Sequence, residues 1–117
     1  MRYLILINND ESKTASDAEK QEVWAAYMKY TQDLKKAGVM LGGDALHPSS
    51  KGGARIKVTG GKRSITDGPF TEAKELIGGY YLIQVKSHEE AVEWASRCPG
   101  AQHQGVELRE VVDMPNA

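Results

Sequence analysis

The chain of 117 residues has little of several things, and each scarcity narrows what it can be. It holds one cysteine, Cys98, so no disulfide can form within it. That pattern fits a reducing, cytoplasmic setting. It has no long apolar run: Tyr3 to Ile7 is the first, and Asn8-Asn9-Asp10 closes it at once. A run that short is neither a signal-peptide core nor a membrane span, so no export signal and no membrane segment are expected. Excess charge of either sign is also missing. Sixteen acids stand against 15 bases, and a net charge of −1 gives no global pull toward nucleic acid or an anionic membrane. Histidines number three, without HxH or HxxxH spacing, so no metal site is expected. Paired glycines recur at 42–43, 52–53, 60–61 and 78–79, but none opens a helix as a phosphate-binding loop does; they read as turns and bulges.

What is present fits one α+β domain over residues 1–117. Tyr3-Leu4-Ile5-Leu6-Ile7 reads as a strand buried on both faces. Ser16-Asp17-Ala18-Glu19 forms a capping box, and Val23, Tyr27, Tyr30, Leu34 and Ala37 then recur on one helical face. Gly38 supplies the stop, so a first helix is predicted from about Asp17 to Ala37. A second strand starts at Val39 and reaches Leu46. Arg55 to Thr59 and Lys62 to Thr66 flank Gly60-Gly61 as a hairpin over about 54–67. Tyr80 to Val85 reads as a strand. Ser87-His88-Glu89-Glu90 caps a second helix that Pro99-Gly100 stops, and Val106 to Val112 is the last strand.

The order is β-α-β, hairpin, β-α-β: a ferredoxin-like sandwich with both helices on one sheet face and a hairpin inserted between the halves. Two helices leave the other face open, although Tyr3 to Ile7 and Tyr80 to Ile83 ask for burial on both. A large open apolar face is a liability for a monomer, so a symmetric homodimer, sheet against sheet, is expected.

The densest chemistry lies in "TDGPFTEAKELIGGYY", residues 66–81. One reading is a corner. Asp67 accepts backbone hydrogen bonds, Gly68 supplies an unusual backbone angle, Pro69 fixes the next, and Phe70 plugs the core. Thr71 then caps a turn carrying Glu72, Lys74 and Glu75. The other reading is a site for proton abstraction beside a carbonyl. Asp67 is its base, Lys74 and Arg55 hold an anionic substrate group, and Tyr27 or Tyr81 donates from a phenol. His47, before Pro48, can approach the same place. Lys51, Arg55, Lys57, Lys62 and Arg63 make the hairpin basic, but without interleaved aromatics direct nucleic-acid binding is not expected. Cys98 reads as a small core residue.

"TDGPFTEAKELIGGYYLIQV" resembles the signature of DGPF proteins within the YCII-related family. The likeness extends to "YLILI", "LKKAGVMLGGDALHP", "EEAVEWASRCPG" and "VELREV". It implies a ferredoxin-like fold in a dimeric α/β barrel. The wider superfamily includes small lactone isomerases, monooxygenases and dehalogenating enzymes, which implies a cofactor-independent lyase or isomerase acting on a small carbonyl or aromatic compound. The alternative is a non-catalytic ligand- or partner-binding protein, since DGPF proteins are often encoded beside extracytoplasmic-function sigma factors. Shorter members pair a helix-1 histidine with an aspartate. Helix 1 here has no histidine, and its inner side offers Tyr27 and Tyr30 instead.

Overall fold

In the computed structural model, which describes residues 1–13, 15–70 and 76–114, the order of elements is the expected one. They are β1 (Arg2–Asn9), α1 (Asp17–Lys36), β2 (Met40–Ala45), β3 (Ala54–Thr59), β4 (Lys62–Asp67), β5 (Leu76–Gln84), α2 (His88–Arg97) and β6 (Val106–Glu110), with a 3-10 turn at Pro99–Gln102. The main sheet runs β2-β5-β1-β6 with every neighbouring pair antiparallel. β5 is thus threaded between β1 and β2, which is the split βαβ of the ferredoxin-like fold. β3 and β4 form a separate two-stranded sheet.

Local sequence explains the element ends. Ser16 Oγ accepts from Glu19 N at 3.2 Å and donates to Glu19 Oε1, closing the capping box of α1. Ser87 Oγ accepts from Glu90 N at 3.1 Å, while the Glu90 carboxylate takes Lys86 N–H one residue before the cap. Gly38 adopts φ 72°, so α1 ends in a left-handed step that hands Val39 N–H to Leu34 O. Gly60 and Gly61 have φ 57° and 79°, the two positive angles that a two-residue hairpin turn requires.

The core lies between the helices and one sheet face. Tyr3 and Ile5 of β1, Tyr81 and Ile83 of β5, Tyr30 and Leu34 of α1, Trp94 and Ala95 of α2, and Cys98 are buried there. Strand periodicity sends Leu4, Leu6, Tyr80 and Leu82 to the opposite face, where they are only half-buried. That face also carries Glu107 and Arg109, paired at 3.1 Å. β1 is therefore covered on one face by the helices and open on the other.

Candidate functional site

The DGPF corner is built by loops reaching from three places. Glu11, just past β1, accepts from Ser49 N at 2.8 Å and from Ser49 Oγ at 2.5 Å. Ser49 Oγ in turn accepts from Phe70 N at 2.9 Å. One carboxylate thus ties the β1–α1, β2–β3 and β4–β5 connections together. A charged acceptor with two donors from one residue is the stronger class of hydrogen bond.

This latch explains the glycines. A Cβ on Gly68 or on Gly53 would collide with the Ser49 carbonyl oxygen. Gly68 N–H donates to Gly53 O at 2.8 Å, and Gly53 N–H to Ser49 O at 3.1 Å. The expectation that Gly68 supplies an unusual backbone angle is corrected: it is not among the positive-φ glycines, and it is needed because backbone passes against backbone. The Gly68–Pro69 peptide bond is cis. Phe70 is half-buried, and the Arg55 guanidinium lies over its ring, 4.0 Å from the centroid.

The proposed site residues fall into separate groups. Asp67 ends β4 opposite Ala54 and is exposed. No hydrogen bond or ion pair joins its carboxylate to another of the described residues: Gly68 N–H and Phe70 N–H donate elsewhere, and an Asx-type bond to Thr71 falls outside them. Arg55 pairs with Thr66, one position out of step, so strand alternation puts Arg55 and Asp67 on opposite faces of the hairpin. His47 is exposed, with Nε2 3.4 Å from Lys51 Nζ. Lys74, with Thr71, Glu72 and Glu75, lies outside the described residues.

Tyr27 and Tyr81 do come together, in the core rather than at the corner. Tyr81 hydroxyl and Thr31 Oγ1 share a hydrogen bond of 2.7 Å, and Tyr30 packs edge-on to Tyr81 with centroids 5.2 Å apart. Tyr30 donates to the Trp94 carbonyl at 2.7 Å. The Tyr27 hydroxyl sits against Gly100, where an added Cβ would lie 2.6 Å from it. Burial, reinforced by Cys98, pushes the Tyr27 phenol well above its ordinary range. Burial also raises Tyr30 and Tyr81, the latter against the opposing bond from Thr31. Cys98 is raised by burial as well, partly offset by backbone N–H groups and Tyr27. These groups are neutral structural hydroxyls and a neutral thiol.

The sequence reading missed Glu11 and Ser49 at the corner. It also missed a contact at the far end of the sheet, where the Tyr3 hydroxyl lies 3.4 Å from both His88 Nδ1 and Glu110 Oε1. Two surface grooves lie elsewhere. One of about 330 Å³ runs between α2 and β6 beside Val92 and Leu108; one of about 490 Å³ lies between the helices beside Lys29, Arg97 and His103. Among the described residues no three His, Cys, Asp or Glu side chains gather as metal ligands would, and no helix is long and apolar enough to cross a membrane.

The YCII-related domain pattern spans residues 1–115. The chain belongs to the YCII-related family. It is 34% identical over 97 residues to an uncharacterised protein of Rhizobium meliloti (strain 1021), covering 81% of this chain and 77% of that one. Its fold is similar to that of 5-chloro-2-hydroxyhydroquinone dehydrochlorinase from Burkholderia phenoliruptrix AC1100, solved in complex with 2,5-dihydroxybenzoquinone. The TM-score is 0.54 at 13% identity, covering 96% of this chain and 94% of that one. At that identity the likeness speaks for the fold alone, an α+β ferredoxin-like subunit. This YCII-related chain therefore combines the family's architecture with a corner held by Glu11 and Ser49 and an exposed aspartate, Asp67, without a side-chain partner among the described residues.

Proposed function

We propose that the protein is a small cofactor-independent enzyme of the lyase or isomerase type, acting as a homodimer on a small carbonyl or oxygenated ring compound. The observation that carries this reading is Asp67. Within the DGPF run Gly68 clears a backbone and Phe70 stacks under Arg55, whereas the Asp67 side chain has no partner among the described residues. A carboxylate kept free at a strand end is suited to accept a proton. The chemistry named for the Burkholderia dehydrochlorinase supports the substrate class. The dimer is supported by the open sheet face with Leu4, Leu6 and Leu82.

Purified protein offered hydroxylated and chlorinated hydroquinones and short lactones should turn over one class, followed by absorbance. Asp67→Asn should abolish turnover. Full turnover by that variant would remove Asp67 from the chemistry. A second reading, a non-catalytic module that binds a ligand or a regulator such as an extracytoplasmic-function sigma factor, is favoured by one observation. The hydroxyls of Tyr30 and Tyr81 are engaged within the fold and Tyr27 is turned into Gly100 and Cys98, which removes the phenol donors an Asp67 mechanism would draw on. Co-purification with the sigma factor, without turnover of any compound offered, would support that reading over the enzyme.

A further inference from the structure

Every residue of β3 and of β4 is exposed. The register separates their side chains into two faces. Ala54, Ile56 and Val58 share one with Asp67, Ile65 and Arg63; Arg55, Lys57 and Thr59 share the other with Thr66, Ser64 and Lys62. The second face is what a solvated hairpin should look like. The first is not: Ile56 and Ile65 are direct cross-strand partners, and Ile56, Val58 and Ile65 are 64%, 63% and 50% exposed. A lone two-stranded hairpin is marginal in water unless an apolar face finds cover. The molecule is also extended for its size. The radius of gyration is 16.2 Å, where a compact chain of this size has about 13 Å.

We propose that the β3–β4 hairpin is an arm whose apolar face docks on a second copy of this chain and encloses Asp67. Charge points to that occupant. Residues 51–63 carry five bases and no acid, with Arg63 on the apolar face and Arg55, Lys57 and Lys62 on the other, which leaves ten bases against 16 acids on the rest of the chain. The arm is therefore complementary to the acidic body of its own kind, while its own body leaves it bare. A two-fold axis that buries the open sheet faces makes each contact twice, so each arm can reach the other subunit's body as the sheets meet. The inference rests on the homodimer reading above and adds to it: Asp67 shares the apolar face, so docking of the arm would take its carboxylate out of bulk water. Only then is the site complete.

The test uses the full chain in a mixed sample, half methyl-labelled and half unlabelled, with isotope-filtered nuclear Overhauser spectra. Intermolecular cross-peaks to the Ile56 and Ile65 methyls are expected. Sedimentation of the double variant Ile56→Lys/Ile65→Lys should then show a dimer dissociation constant raised at least about tenfold, given what burial of each such side chain contributes. A stable dimer with cross-peaks to Leu4 and Leu82 methyls and none to Ile56 or Ile65 would overturn the arm and leave the sheet-face dimer standing. A wild-type monomer at micromolar concentration would overturn both. Arm methyls that shift with added duplex DNA and show no cross-peaks between copies would assign the arm to nucleic acid and overturn the proposal.

Discussion

Replacing Gly68 by alanine should destabilise the protein by about 2–4 kcal/mol. The added Cβ would collide with the Ser49 carbonyl oxygen, a backbone atom that yields only if the whole β2–β3 loop moves. Forcing such a shift costs about 1–3 kcal/mol. Displacement also stretches the 2.8 Å bond from Gly68 N–H to Gly53 O and the 2.9 Å bond from Phe70 N–H to Ser49 Oγ, each worth about 1 kcal/mol. Gly60→Ala is the control. Nothing lies within 4 Å of its Cβ position, and only its φ of 57° resists, at about 1–2 kcal/mol. Gly53→Ala meets the same carbonyl oxygen as Gly68→Ala. Once one variant has displaced Ser49, the second should cost less, so the double variant should be less destabilised than the singles added, by about 1 kcal/mol or more. Urea unfolding followed by circular dichroism, at one fixed protein concentration, measures all four variants against the wild type. If Gly68→Ala costs no more than Gly60→Ala, or if the double variant is additive, the close approach of Ser49 is not what the glycines serve.

The other expectations rest on single contacts or titrations. Glu11→Gln exchanges a charged acceptor of two Ser49 donors for a neutral one and should cost about 1–2 kcal/mol in the same urea assay. Tyr30→Phe leaves the Trp94 carbonyl without its buried donor and should cost about 1–3 kcal/mol, measured likewise. Stability should fall at high pH. Cys98, Tyr27, Tyr30 and Tyr81 are all raised above their ordinary values of 9.0 and 10.0. Their contribution is full below those values and is lost as pH rises past them, because the unfolded chain ionises first. Urea midpoints at pH 7 and pH 10.5 should differ, and the difference should shrink in Tyr27→Phe. Cys98 is fully buried and its thiol is raised, so a chromogenic disulfide reagent should label it orders of magnitude faster in denaturant than in buffer.

What could be read in advance was local. Both capping boxes and the hairpin span of 54–67 follow from residues within four positions of one another, so their energetics are written in consecutive sequence. The Glu11–Ser49 latch joins residues 38 apart, and the Thr31–Tyr81 and Tyr30–Trp94 bonds join residues 50 and 64 apart; no periodicity encodes such pairs. Phe70 was expected to plug the core, yet it is half-buried under Arg55, because the corner stands on the latch rather than on the helices. The separation of Arg55 from Asp67 had a usable signal. A two-residue turn at Gly60-Gly61 fixes the whole register, which pairs Arg55 with Thr66 and Ala54 with Asp67. Arg55 and Asp67 on one face was therefore excluded by the turn itself. The open apolar face was legible for a similar reason: alternation along β1 and β5 must send Leu4, Leu6 and Leu82 away from the helices.

A corner and a site place opposite demands on Asp67, and the two can be separated by stability alone. If Asp67 served the corner, its carboxylate would hold backbone donors, and Asp67→Asn would weaken them by about 1 kcal/mol or more. The carboxylate holds none among the described residues, and it stands exposed at the root of the arm. In the isolated chain Asp67→Asn should therefore change stability by less than about 0.5 kcal/mol, as surface substitutions do. The dimer adds a sign. If the arm buries Asp67 against a second copy, removing its charge relieves desolvation, so Asp67→Asn should leave the dimer as tight or tighter while turnover disappears. Residues that serve the fold do not behave so. A variant that folds normally, associates at least as well and loses its chemistry marks a group kept for the reaction. A weaker fold together with a weaker dimer would return Asp67 to the corner.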